Sequence, residues 1–346
     1  MDKRSLFKNT GLAFALLAGT MAFVTGIPAR AQEGTLKIYS SSPDQFLRPL
    51  IGAFNKIHPN ITVEVSVQPG EELVSTIELE MRANSPHADI ALLNEASING
   101  LQSRHKTWEA YKPADFSAVH EEVRDPANIV IPACINPYLI QYNTNKVKAG
   151  DAPKSWLDLL DAKWNGKIAM ADPVKSQSIQ SFIWFIATEL PKRGVAGFGW
   201  QYFEKLKGND VRLEGSHGTI RDLTASGERP IGIQLLANGQ TSANRGDPTA
   251  IVWPKEGSPG ELTAFAMFAG SNNKPAAKAW LDFVVSKEGQ SLMPNALGCA
   301  PIRDDVDYMF PGGTAVADVK IVPVNSAFII ENRKKHTADF NKAMGR

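Results

Sequence analysis

Thr35-Leu36-Lys37-Ile38-Tyr39-Ser40-Ser41-Ser42-Pro43-Asp44 reads as a strand that runs into a polar turn and from there into a helix. Leu36 and Ile38 alternate with Thr35, Lys37 and Tyr39, as a strand with one buried face requires. The serines, Pro43 and Asp44 both stop a strand and cap a helix. From Gln45 to His58, Phe46, Leu47, Leu50, Ile51, Phe54 and Ile57 then recur at helical spacing. The same pattern follows downstream. Ile61 to Val67 alternates strictly, Glu71 to Ala83 carries Leu73, Ile77 and Met81 on one helical face, and Ala88-Asp89-Ile90-Ala91-Leu92-Leu93 is a more continuously apolar strand. Strand–helix repetition of this kind predicts an α/β fold with a parallel sheet covered on both faces. Ligands bind such sheets beyond the carboxyl ends of the strands, which selects Ser40, Ser41, Ser42, Asn94 and Glu95 as candidate site residues.

Further along the chain a second unit of the same kind begins. Ile129 to Asn143 holds two apolar, strand-like stretches around Asn136-Pro137, and Lys167-Ile168-Ala169-Met170 leads into Ala171-Asp172-Pro173. A helix is expected over Ser176 to Glu189, another over Ile220 to Ser226, and a strand at Ile231-Gly232-Ile233. Ala250-Ile251-Val252-Trp253 then leads through Gly257-Ser258-Pro259-Gly260 into apolar Leu262 to Ala269. Lys274 to Glu288 reads as a helix burying Ala277, Trp280, Leu281, Val284 and Val285. The chain is thus expected to return to its first unit, crossing twice and leaving a cleft. The expected divisions are 1–31 as an export segment, 32–135 as the first lobe, 136–255 as the second, and 256–346 as a return to the first lobe with C-terminal helices.

Basic Lys3, Arg4 and Lys8 precede the uncharged apolar run Leu12 to Val24, and Ala29-Arg30-Ala31 offers small residues before Gln32. A run of about a dozen residues is short of the roughly 20 needed to span a bilayer, so a signal peptide cleaved after Ala31 is expected, with the mature protein in the periplasm. Losing four basic residues and one acidic one takes the formal charge from +1 to −2, which argues against nucleic acid or an anionic membrane as partner. A hydrophobic content of 43% with 21% charged residues is that of an ordinary globular chain. Cys134 and Cys299 are the only cysteines; an oxidising compartment allows them one disulfide, and two separate buried thiols remain the alternative.

Several strings in this order resemble the extracellular solute-binding proteins of bacterial ABC importers, in the cluster II group of ferric-ion, thiamine, polyamine and phosphonate binders. They include Ile38-Tyr39-Ser40-Ser41-Ser42, Leu50-Ile51-Gly52-Ala53-Phe54-Asn55-Lys56, Tyr142-Asn143-Thr144-Asn145-Lys146-Val147, Trp164-Asn165-Gly166-Lys167-Ile168 and Pro275-Ala276-Ala277-Lys278-Ala279-Trp280-Leu281-Asp282-Phe283. The resemblance implies a type II periplasmic binding protein fold: two α/β lobes joined by two hinge strands, closing on a ligand. It also implies a small-molecule solute, an ABC permease and ATPase complex as partner, and a monomer without cofactor.

Ferric-ion members hold the metal with adjacent tyrosines. The corresponding stretch here, Ile231-Gly232-Ile233-Gln234-Leu235-Leu236-Ala237-Asn238, has none, and Leu236 and Ala237 offer no hard oxygen donor. Ser176-Gln177-Ser178 is either an anion socket at a helix start or a cap. Ser216 and His217 align with the family's ligand-facing turn, and Gln234 lies on the strand beyond them. Tyr142 either contacts the ligand or packs the hinge. Glu95, if ionised, would recognise an amine. A small organic anion, phosphonate or phosphate ester, is expected, and an aminoalkylphosphonate would satisfy both lobes. His58, His87, His105, His120 and His336 read as surface residues. An exported hydrolase is the rival class, but no G-x-S-x-G elbow or paired-carboxylate signature is present, so no catalytic residue is assigned.

Overall fold

The computed structural model describes residues 33–176 and 178–346; the expected export segment lies outside them. The chain begins with β1 (Gly34–Ser40), α1 (Asp44–Ile57), β2 (Ile61–Val67), α2 (Gly70–Arg82), β3 (Ile90–Asn94) and α3 (Glu95–His105). The strands pair in parallel in the order β2-β1-β3, with Ile38 opposite both Val65 and Ile90. Helix α1 buries Leu47, Leu50 and Phe54 beneath this sheet, as its spacing dictates. Short β4 (Trp108–Glu109) and the long β5 (Ile131–Asn143) follow.

After β5 come β6 (Ile168–Ala171), α4 (Ile179–Trp184), α5 (Leu190–Lys192), α6 (Trp200–Leu206), β7 (Arg212–Glu214) and α7 (His217–Ser226). Then follow β8 (Ile231–Leu235), α8 (Leu236–Arg245), β9 (Thr249–Val252) and β10 (Ser258–Phe268). The last elements are α9 (Lys274–Val285), α10 (Lys287–Ala296), β11 (Met309–Phe310), β12 (Thr314–Ala315), β13 (Ile321–Pro323) and α11 (Ser326–Met344).

The two apolar stretches around Asn136-Pro137 form one strand. Up to Pro137, β5 pairs antiparallel with β10; from Tyr138 it pairs with β8 and then β9. Proline donates no backbone hydrogen bond, and here it occupies the last rung of one ladder before the other begins. Its partner Gly260 is held between β5 and β13, where a Cβ would collide with Ile135 and Ile321. Strand β10 runs antiparallel to β3 and β5 but parallel to short β13, so besides β2-β1-β3 and β7-β6-β8 the only other parallel pairing among the described strands is β10-β13.

Two hydrophobic cores result. One contains Leu36, Phe54, Leu92, Phe265 and Trp280; the other contains Tyr138, Trp156, Phe182, Tyr202 and Phe203. Contrary to expectation, the last helix joins the second lobe. Phe340 and Met344 of α11 enter the second core, with the Phe340 ring edge-on to Phe203 at 5.1 Å, and Arg346 pairs with Asp172 at 2.9 Å. His336 is therefore buried against Trp200 and Phe328 rather than exposed.

Capping explains the other boundary differences. Ser176 spends its N–H on the Asp172 carbonyl at 2.8 Å, so the helix expected from Ser176 starts at Ile179; it widens into a π-helical turn over Phe185–Glu189. Ser216 accepts the Thr219 N–H, which starts α7 at His217. Ser286 is extended and caps α10, breaking the helix expected over 274–288. Cys134 and Cys299 are disulfide-bonded, with Cα atoms 5.7 Å apart, and tie β5 to the segment after α10.

Candidate functional site

A cleft of about 510 Å³ opens between the lobes. Asn94, Glu95 and Ser97 enter it from the start of α3, and Lys175, Ser178 and Ser181 from the second lobe. Strand β10 places Glu261 in the wall, and α11 adds Arg333. These residues meet because β3, β10 and α11 all bring their ends to the gap between the two cores.

On the first-lobe side, Asn94 caps α3 by accepting the Ser97 N–H at 2.8 Å. Glu95 accepts a hydrogen bond from Ser326 at 2.8 Å, and burial raises its carboxyl above the ordinary range. The serine loop is bonded within itself. Ser40 donates to the Ser42 carbonyl at 2.6 Å and accepts the Ser42 N–H, while Ser41 donates to the Leu92 carbonyl at 3.1 Å. Ser40, Ser41 and Ser42 shape the turn beside the cleft and do not line it.

The second-lobe side rests on a buried network. Gln234 receives the Leu235 N–H on its amide oxygen at 3.0 Å, which fixes the amide orientation. That same oxygen lies 2.7 Å from His217 Nδ1, so Nδ1 carries the ring proton. The Gln234 amino group donates to the His217 carbonyl at 2.8 Å. Nε2 is then an acceptor, 3.0 Å from the Ser178 hydroxyl and 3.2 Å from that of Tyr138. Burial holds the ring neutral, with its pKa pushed down to about 4.

Both ring nitrogens are thus occupied within the protein. His217 does not reach the cleft as an anion donor; it positions Ser178, which does. Gln234 is buried behind it, and Ser216 caps α7 away from the cleft. Ser176 lies 3.0 Å from Ser178, hydroxyl to hydroxyl, one step removed from the cleft wall. Tyr142 packs in the second core, so of its two readings the structure has hinge packing.

Lys175, Ser181, Glu261 and Arg333 are among the cleft residues not selected from sequence. Glu261 did carry a signal, being the lone charge in the stretch Gly260 to Ala269. Ser181 donates a short hydrogen bond to its carboxylate, and burial raises the Glu261 pKa to about 7. Among the described residues, no group of three His, Cys, Asp or Glu side chains is arranged to hold a metal ion. No helix among them is long and apolar enough to cross a membrane.

Two α/β lobes joined by crossing strands around a polar cleft define a protein built to enclose a small ligand. Residues 85–320 match the family of bacterial extracellular solute-binding proteins, and the chain belongs to that family. Its members are binding components of transport systems, not enzymes. Among relatives, a probable ABC transporter periplasmic-binding protein of Sinorhizobium fredii is 22% identical over 313 residues, covering 90% of this chain and 85% of the relative. A Salmonella typhimurium protein provisionally named 2-aminoethylphosphonate-binding periplasmic protein is 27% identical over 215 residues, covering 57% of this chain and 59% of its own. An Fe(3+)-binding periplasmic protein of Serratia marcescens is 21% identical, covering 81% and 82%. The substrate-binding protein of an Agrobacterium tumefaciens ABC transporter superposes with a TM-score of 0.72 at 20% identity, covering 91% of this chain and 96% of that one.

Proposed function

We propose that this chain is the periplasmic solute-binding component of an ABC importer, exported by residues 1–31 and cleaved after Ala31. As a monomer it captures a small organic anion, a phosphonate or phosphate ester, and delivers it to the permease and ATPase complex. One observation carries the choice of anion. Lys175 and Arg333 line the same cleft as Ser178, and neither forms an ion pair with a described residue. Charge-assisted hydrogen bonds to an oxyanion are the natural use of such groups. A relative bearing a phosphonate-binding name supports the same reading. Iron capture is disfavoured because Leu236 and Ala237 open α8 without an oxygen donor in their side chains.

Thermal melting against a solute panel tests this. A ligand of the folded state at a hundredfold excess over its Kd stabilises by about 2.7 kcal/mol, so phosphonates or phosphate esters should shift the melt and ferric iron should not. Lys175→Ala with Arg333→Ala should weaken binding at least tenfold, since hydrogen bonds to charged groups contribute about 1.5–3 kcal/mol each. A protein purified with tightly bound iron, or a double variant with unchanged affinity, would sink the proposal.

A further inference from the structure

We infer that the cleft also reads a cationic group on its solute, through Glu261 on the crossing strand β10, so that the cargo is a zwitterion. The anionic half of that ligand rests on the function proposed above; the cationic half rests on separate geometry. Glu261 lies opposite Asn136 of β5, where the chain passes between lobes, and its carboxylate faces the cleft. Its one side-chain hydrogen bond comes from Ser181 of α4, and an ionised carboxylate has about four acceptor sites to fill.

The opposite charges of this cleft are kept apart. Lys175 and Arg333 share the cavity with Glu261, yet neither pairs with it. Pairing them within the protein would bring little stability, since desolvation offsets the attraction of a buried ion pair, and left unpaired they keep their hydrogen-bonding capacity for a ligand. Unpaired with one another, they leave acidic and basic side chains around one cavity, which is the charge pattern of a small zwitterion in reverse. An ammonium seated against Glu261 replaces the water the carboxylate loses on closure and makes a charge-assisted hydrogen bond there.

Glu95, the acid that the sequence points to for this task, is differently placed. Its carboxylate is engaged by Ser326 and also bonded to Asn99, so part of its accepting capacity is filled by the protein itself. Tyr138, behind Ser178, is held by His217 and offers no positive charge to Glu261. Glu261 is therefore the reader of the cation, and Glu95 a member of the cleft wall.

The opposing possibility is a protonated Glu261 that donates a hydrogen bond to an oxyanion, in which case an added ammonium brings no gain. Calorimetric titration at pH 8 separates the two with ethylphosphonate, 2-aminoethylphosphonate and 1,3-diaminopropane as probes, on the wild type, Glu261→Gln and Glu95→Gln. The expected result is that 2-aminoethylphosphonate binds the wild type at least tenfold tighter than ethylphosphonate. Glu261→Gln should bring the two within about twofold, and Glu95→Gln should preserve the preference. Equal wild-type affinity for the two phosphonates, or a preference that survives Glu261→Gln, overturns the inference and leaves the anion reading standing. If the diamine alone binds and loses affinity in Glu261→Gln, the anion reading and with it the zwitterion fail, and only the cation contact at Glu261 stands. No binding of any probe at millimolar concentration overturns both. Unchanged circular dichroism of each variant excludes misfolding as the cause.

Discussion

Replacing Glu261 by glutamine should stabilise the ligand-free protein at alkaline pH while leaving it unchanged in mild acid. The Glu261 carboxyl has an ordinary value of 4.5 and a folded-state value of about 7, raised by burial. Because the folded state holds this proton more tightly than the unfolded chain, the contribution of Glu261 to stability is fully present below pH 4.5. It is lost as the pH rises through about 7. The gap corresponds to about 3 kcal/mol at most, and water in the open cleft screens part of it, leaving about 1–3 kcal/mol. Glutamine has the same shape, can still accept from Ser181, and never ionises. Melting curves of wild type and Glu261→Gln should therefore coincide near pH 4.5 and diverge by pH 8.5, with the variant higher by several degrees. Added zwitterion should reverse the order at pH 8.5, because the wild type alone gains the ligand's ammonium. Parallel melts across the whole pH range would refute both the burial of the charge and the physical basis of the cation reading.

The remaining predictions concern the scaffold. The Cys134–Cys299 bond closes a loop spanning 165 residues, for which chain entropy gives about 5 kcal/mol. The double alanine variant should show a lower urea midpoint by a corresponding amount, and an unchanged midpoint would show that the bond constrains nothing. His217, whose folded-state pKa lies below its unfolded value of 6.5, contributes stability that is present above pH 6.5 and lost as the pH falls to about 4. That contribution amounts to about 3 kcal/mol. Nitrogen-15 spectra should show this ring neutral and protonated on Nδ1 at pH 5.5; an imidazolium signal at that pH would break the network assigned around Ser178.

The local elements were largely legible because each rests on short-range physics. β2 over Ile61 to Val67 follows from strict alternation, and α1 follows from the spacing of Leu47, Leu50 and Phe54. Where the reading missed, a single capping or turn hydrogen bond between near neighbours had set the boundary against the apolar spacing. Ser176 resembles a helix start until its N–H is taken by Asp172, and α7 begins early because Ser216 caps it. The break at Ser286 has the same cause. Of the candidate site residues, Asn94, Glu95 and Ser178 line the cleft. Tyr142 is in the core, His217 and Gln234 support Ser178 from behind, and Ser216 caps α7 away from the cleft.

By itself, then, the sequence determined the α/β class and the family resemblance, because periodicity and turn chemistry act between near neighbours. Only the tertiary structure decided that the two cysteines bond, that α11 joins the second lobe, and that Lys175, Glu261 and Arg333 share one cleft. Glu261 stands 86 positions after Lys175 and 72 before Arg333 in the chain, and no local pattern links them. Burial and charge are properties of the assembled surroundings. The same glutamate on an exposed strand would be an ordinary carboxylate, and it is burial between the two lobes that raises its pKa to about 7.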